Sequence, residues 1–426
     1  MTLLLWERMV NMSTRQRIMS YETLAGAFDP YLEQAGTVLS GLEGTAGEVP
    51  PAPVMSQISD GLQVLELAKR NPDVMGGTEH AMASLLQTYF AERAVRTSRG
   101  AGDGLEAKFD NDDLLGWIGS FFTWWKKIRP HAWQNPVPKP TALANDCRIA
   151  LFGDWGTGLY GAPVLARSIA ADERSFQLVL HLGDTYYSGD DGEIKERLLE
   201  PWPKVPGALN RTLNGNHEMY TGGHAYFDNA LKQFSQPSSC FALENDHWIL
   251  ACLDSAYTDH DLYGEQVTWL DAIVAQGDNR KLILFSHHQP YSLLDVQGPK
   301  LVAKLSTYLE NRKIFAWYWG HEHHCVLYDE HPAWGVYGRC IGHGGFPYFR
   351  ETDFGSTPAK LSWVRLETKN LVPGAEVLDG PNPFIPGHEK EYGPHGYVIL
   401  ELQGPRLNEL VVDADGSVLR SQELGK

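Results

Sequence analysis

From Cys147 onward the chain repeats one local pattern, and that pattern limits the fold more than any other feature. Short β-rich runs end in Gly-Asp or Asn-His and alternate with stretches patterned for helices. A strand over 148–152 precedes a helix over 162–171, and a strand over 178–182 precedes one over 193–199. A third short run closes at Thr212-Leu213. The runs 241–243 and 248–253 read as a hairpin. A helix over 266–275 leads to a buried strand over 281–285, and a helix over 301–309 leads to a strand over 314–319. Alternation of this kind predicts an α/β layered fold. Strands then dominate, at 326–328, 335–340, 361–366, 397–402 and 409–412, with a proline-rich loop expected over 372–396.

Residues 1–145 have a different texture. Ile58, Leu62, Leu65 and Leu67 recur at roughly helical spacing, and 78–97 lacks proline and glycine. The segment 114–128 carries Trp117, Phe121, Phe122, Trp124 and Trp125 and reads as a packing helix. Pro130, Pro136, Pro138 and Pro140 rule out helix and favour an extended linker. The expected organisation is a helical N-terminal region, 1–145, ending in that linker, and a catalytic domain, 146–426, with a β-rich C-terminal segment.

The formal net charge of −17 argues against a nucleic-acid-binding surface, which needs a basic patch. No apolar run reaches the length of a membrane span, so no membrane partner is expected. Five cysteines without paired spacing and a short apolar start, Leu3-Leu4-Leu5-Trp6, lead to the expectation of a cytoplasmic chain.

Five segments place metal-binding side chains just after strands, where open α/β sheets bind ligands. They are Gly153-Asp154-Trp155-Gly156, Gly183-Asp184-Thr185-Tyr186-Tyr187, Gly215-Asn216-His217-Glu218, His287-His288-Gln289-Pro290 and Gly320-His321-Glu322-His323. Glycine precedes the candidate ligand in four of the five, which suits a tight turn. Twelve of the sixteen histidines fall between 181 and 343, so incidental scattering does not explain them. Hydrolysis of a phosphate ester needs positive charge to bind the dianion, a hydroxide at neutral pH and stabilisation of the charge that builds on phosphorus. Two metal ions about 3.5–4 Å apart, held by carboxylate, amide and imidazole, supply them. Hard oxygen donors and imidazoles suit iron, manganese or zinc. Taken singly, Asp154 and Asp184 read as turn residues, His181 as a core histidine, and His260 and His331 as surface residues.

In their order, the five segments resemble the metallophosphoesterase (calcineurin-like phosphoesterase) superfamily, and more closely the purple acid phosphatase pattern: Gly-Asp-x-Gly, Gly-Asp-x-x-Tyr, Gly-Asn-His-Glu/Asp, a strand-end histidine and Gly-His-x-His. The resemblance covers about 147–345 and implies a layered β-sandwich flanked by helices. It implies that Asp154, Asp184, Tyr187 and His323 hold one metal, that Asp184 bridges, and that Asn216, His288 and His321 complete the second site. Gly156 stands where the wider superfamily has a histidine, and Tyr187 takes its place. A phenolate there implies Fe(III) in the first site and a divalent ion (Fe, Zn or Mn) in the second. The His-x-Pro spacing favours His288 over His287, which becomes a substrate-facing candidate. His217 is the expected catalytic residue, oriented by Glu218, beside a metal-bound hydroxide that attacks phosphorus. His224 and His343 are further candidates for substrate contact, and Arg350 could reach a phosphate.

The implied function is metal-dependent hydrolysis of a small-molecule or macromolecular phosphate ester, with monoesterase and diesterase both open. The branch of serine/threonine protein phosphatases shows Asp-Arg-Gly after the second segment, where this chain has Ser188-Gly189-Asp190. A non-catalytic metal-binding interaction protein is the alternative from another class.

Overall fold

The computed structural model describes residues 57, 58, 60, 61, 64, 65, 80–97 and 128–425, apart from 157, 159, 278, 351–360 and 368–371; side chains within the helix of 81–97 are described as far as 89. The chain divides into two compact units, Met1–Arg129 and Pro130–Lys426. In the first unit a helix spans Ala81–Thr97, within the stretch free of proline and glycine. The aromatic segment expected to pack as a helix over 114–128 lies outside the described residues, except for Ile128.

The second unit is a sandwich of two sheets with helices on both outer faces. Its strands are β1 (Thr141–Ala142), β2 (Asp146–Phe152), β3 (Leu178–His181), β4 (Leu209–Thr212), β5 (Phe241–Glu244), β6 (Trp248–Cys252), β7 (Lys281–Phe285), β8 (Ile314–Trp319), β9 (Cys325–Glu330), β10 (Tyr337–Ile341), β11 (Ser362–Leu366), β12 (Ala375–Asp379), β13 (Gly396–Gln403), β14 (Arg406–Asp413) and β15 (Val418–Glu423). One sheet has the order β1-β5-β6-β7-β8-β10-β9-β12-β11, the other β15-β14-β13-β2-β3-β4. The β12 strand corrects the expectation of a continuous loop over 372–396: Ala375, Val377 and Leu378 are buried where it pairs with β9 and β11.

The period-two alternation of side chains explains the layers. In β8, Ala316 and Tyr318 join the core between the sheets, while Trp317 and Trp319 join the core under the outer helices. In β2, Ile149 and Leu151 face the sandwich interior, and Ala150 and Phe152 face the other helical layer. Strands buried on both faces read as continuous apolar runs. The outer helices bury one stripe each. In Gly161–Ala171 the buried set Ala162, Leu165, Ala166 and Ile169 follows the i, i+3, i+4, i+7 spacing.

Parallel pairing then aligns the strand ends. Phe152, His181 and Thr212 are in register across β2, β3 and β4. Cys252, Phe285 and Tyr318 are in register across β6, β7 and β8. Every candidate ligand segment leaves one of these strands. The proline-rich segment is laid against the same unit. The His131 amide donates to Gly222 O (2.8 Å), that of Val137 donates to Cys240 O (3.0 Å), and β1 pairs with β5.

Candidate metal centre

The loops after β2, β3, β4, β7 and β8 bring carboxylates and imidazoles together in a buried cluster. Asp154, Asp184 and His323 form one group of potential ligands, and Asp184, His287 and His321 form another; in each group the ligand atoms lie within 4.8 Å of one another. Asp184 belongs to both. The His287 Nε2 atom is 3.3 Å from Asp184 Oδ2, and His323 Nε2 is 3.6 Å from Asp154 Oδ1.

Main-chain hydrogen bonds set which oxygens face this centre. The His321 amide donates to Asp154 Oδ2 (2.9 Å), and the His217 amide donates to Asp184 Oδ1 (3.0 Å). Each carboxylate thereby keeps its other oxygen toward the imidazoles. Asn216 presents Oδ1 to His287 Nε2 (3.0 Å) and to His321 Nδ1 (3.1 Å), while its amide nitrogen donates to Tyr220 Oη (2.6 Å). His287 Nδ1–H donates to Leu182 O (2.9 Å), which directs Nε2 into the cluster.

The backbone is held in an unusual conformation at four of these residues. The φ angles of Asp154, Asp184, His321 and His323 are 55°, 73°, 70° and 54°. Non-glycine residues adopt this region at a cost and concentrate there at functional sites. The glycines have a second role beyond the turn. A Cβ on Gly215 would stand 1.9 Å from Asp184 Oδ1, and one on Gly320 would stand 2.5 Å from Asp154 Oδ2. Each glycine leaves room for a carboxylate arriving from a neighbouring loop.

Burial and charge work against each other inside the cluster. Burial raises the Asp184 pKa, but the imidazoles of His287 and His217 outweigh it and hold the carboxyl well below the usual range. Burial disfavours protonated His287, yet Asp184 draws its pKa up to about 10. Glu218 is pushed up to about 7 by burial and by Asp184.

Several of the expected residues lie in other places than the resemblance implies. His287, not His288, lies between Asp184, Asn216 and His321. The His288 ring is fully buried on the side of His260, with Nδ1 3.1 Å from Ser255 Oγ and the two ring centroids 3.9 Å apart. Burial, followed by the neighbouring imidazoles, keeps the His288 pKa well below the ordinary value. The phenol at the first group is Tyr186, not Tyr187. Tyr186 Oη donates to Asp184 Oδ2 (3.1 Å) and also contacts His323 Nε2. The Tyr187 ring lies instead under the Arg197 guanidinium, 5.0 Å away. Both tyrosines lie in the turn after β3, and it is the Tyr186 side chain that faces the cluster.

His217 is fully buried beside the cluster. Its Nδ1–H donates to Tyr187 O (2.5 Å), and its Nε2 stands 4.0 Å from Asp184 Oδ2. Glu218 does not orient that ring, as had been expected. Its carboxylate accepts the amides of Gly215 (2.7 Å) and Asp184 (3.1 Å) and ties the two loops together. His343 is fully buried with His395 and His324 as its nearest charged influences. His224 is exposed and grouped with His131 and Asp228. Arg350 is held by Asp379 at 2.6 and 2.7 Å. His181 is a core residue, with Nδ1 3.1 Å from Thr212 Oγ1. His331 is buried, not on the surface, and stacks on Trp334. Sequence reasoning missed His260, which groups with His288 and His321; no motif flanks it.

Residues 147–325 match the model of the calcineurin-like phosphoesterase family. No curated protein matches the chain in sequence. Among solved structures, the purple acid phosphatase PPD1 from yellow lupin is 15% identical with a TM-score of 0.45, over 68% of this chain and 55% of its own. The Plasmodium protein GAP50, described as the anchor in the inner membrane complex, is 14% identical with a TM-score of 0.47, over 66% and 88%. PhoD is 11% identical with a TM-score of 0.39, over 67% and 69%. The family match falls on the residues whose loops build the cluster: over 147–325 the chain is similar to the calcineurin-like phosphoesterases.

Proposed function

We propose that this chain hydrolyses phosphate esters at a centre of two metal ions. The observation that carries the reading is the pair of buried donor groups that share Asp184. The donor set fits metal ions: carboxylate oxygens, an amide oxygen and imidazole nitrogens converge, and the carboxylates spend their other oxygens on main-chain amides. Asp154, Asp184 and His323 would hold one ion, with the Tyr186 phenol beside them. Asp184, Asn216, His287 and His321 would hold the other. Bound ions of this class neutralise the phosphoryl group and bring water to a reactive pKa near neutrality.

The chain's own residues account for the rest of the chemistry. Hydrolysis forms one P–O bond from water, breaks the ester P–O bond and delivers a proton to the leaving oxygen. His217 is suited to the last step. The Tyr187 carbonyl holds its Nδ1–H, so Nε2 is the nitrogen that meets the substrate. Ferric iron is the finer reading, and it rests on Tyr186 supplying a phenolate.

The test is metal analysis with turnover on a matched pair of nitrophenyl phosphate mono- and diesters. Chelation should abolish turnover and added metal should restore it. His217→Ala should lower kcat by roughly 10²–10⁴ and keep the metal content. Stoichiometric metal with no turnover on either ester would replace this reading with that of a metal-binding interaction protein.

A further inference from the structure

A second donor group lies where the proline-rich segment meets the turn and helical segment that follow the helix Asn216–Tyr220. It consists of His131, His224 and Asp228, with one ligand atom from each within 4.8 Å of the others. None of the three belongs to the buried cluster built around Asp184.

His131 is set up as a ligand by three contacts. Its amide donates to Gly222 O (2.8 Å), which fixes the backbone against the loop. Its ring stacks on Phe227 at 4.8 Å and 13°, which fixes the plane. Its Nδ1–H donates to Ala132 O (2.8 Å), which leaves Nε2 as the coordinating nitrogen. That nitrogen is 3.7 Å from Asp228 Oδ2. Two donors about 2.1 Å from a tetrahedral zinc ion stand roughly 3.4 Å apart, so the pair needs only a small adjustment. Asp228 is anchored through its other oxygen, which accepts from Lys232 Nζ at 3.0 Å. Burial is partial, and the His224 side chain is exposed, so an ion can enter from solvent.

We propose that His131, His224 and Asp228 bind a divalent transition ion of the zinc class and clamp the proline-rich segment to the helical segment 224–230. Two imidazoles and one carboxylate suit that class, with water completing the shell. That segment follows the helix that carries Asn216 and His217, so the clamp joins the start of this unit to a segment beside the Asp184 cluster.

The experiment uses the full chain equilibrated at about 10 µM free zinc, a concentration chosen to populate a partly exposed three-residue site. Zinc equivalents are counted, and hydrogen exchange is followed across 130–137. Wild type should hold one equivalent more than His224→Ala or His131→Ala, and Asp228→Asn should weaken that equivalent at least tenfold. Zinc should slow exchange in the segment in wild type and not in His224→Ala. Equal zinc counts in wild type and both histidine variants would overturn the proposal, as would a zinc effect on exchange that survives in His224→Ala. The zinc count does not depend on turnover, so failure here leaves the phosphoesterase reading intact.

Discussion

Replacing Gly215 with alanine should disable the centre without touching a ligand. The new Cβ would stand 1.9 Å from Asp184 Oδ1, about 1.5 Å short of ordinary contact. That oxygen accepts the His217 amide at 3.0 Å, so the carboxylate cannot retreat without breaking the hydrogen bond. The Cβ would also come within 2.8 Å of His287 Cε1. Either Asp184 turns or the loop carrying Asn216 and His217 shifts. A displacement of about 1 Å in a positioned group costs on the order of 10² in rate. Overpacking of this kind costs roughly 1–3 kcal/mol of stability, which leaves a domain of this size folded. The assay is metal content and kcat/KM beside a control, Gly192→Ala, whose Cβ meets nothing closer than 3.5 Å. Gly215→Ala should lose most of its metal and at least about 10² in turnover while Gly192→Ala matches wild type. A Gly215→Ala protein with full metal and turnover within twofold of wild type would refute the claim that this glycine makes room for a bridging carboxylate.

The adjacent histidines separate in the same assay: His287→Ala should unload the site shared with His321 and Asn216, and His288→Ala should keep both ions. An optical band from tyrosinate and ferric iron, if iron is bound, should vanish in Tyr186→Phe and persist in Tyr187→Phe, read by absorption spectroscopy. Burial lowers the His343 pKa to about 3, followed by the influence of His395 and His324. The folded pKa lies below the unfolded value of about 6.5, so stability falls as pH drops from about 6.5 toward 3. Between pH 7.5 and 5.0, wild type should lose about 2 kcal/mol more than His343→Gln in urea unfolding, because the variant cannot take up that proton.

Several apolar runs between breaks were legible to the residue, although the helix expected over 301–309 is two helices, Pro299–Lys304 and Ser306–Glu310. The strands over 281–285 and 314–319 and the helix over 266–275 have the same bounds in the structure, because each run is long, apolar and ended by a turn. The strands β1, β12 and β15 gave no such signal. The first has two residues, the second sits among prolines, and the third, Val-Leu-Arg-Ser-Gln-Glu, is largely polar and leaves no side chain fully buried. Which segments meet was legible from their order, but which of two neighbours points inward was not. His287 is selected by Leu182 O on β3's loop, and Tyr186 by Asp184 and His323. Those partners are distant in sequence or share a loop whose turn only the folded chain defines. The role of Glu218 escaped for a similar reason, since its carboxylate answers to main-chain amides.

Asp184 is the residue on which the two-ion account depends, because both donor groups contain it. The direct measurement is metal per chain, by mass spectrometry of the metals, in wild type and in Asp184→Asn, with phosphate-ester turnover on the same samples. The account predicts two ions per wild-type chain and loss of both, together with turnover, in the variant. A wild-type chain active with a single ion, or an Asp184→Asn chain that keeps two ions and its activity, would contradict it.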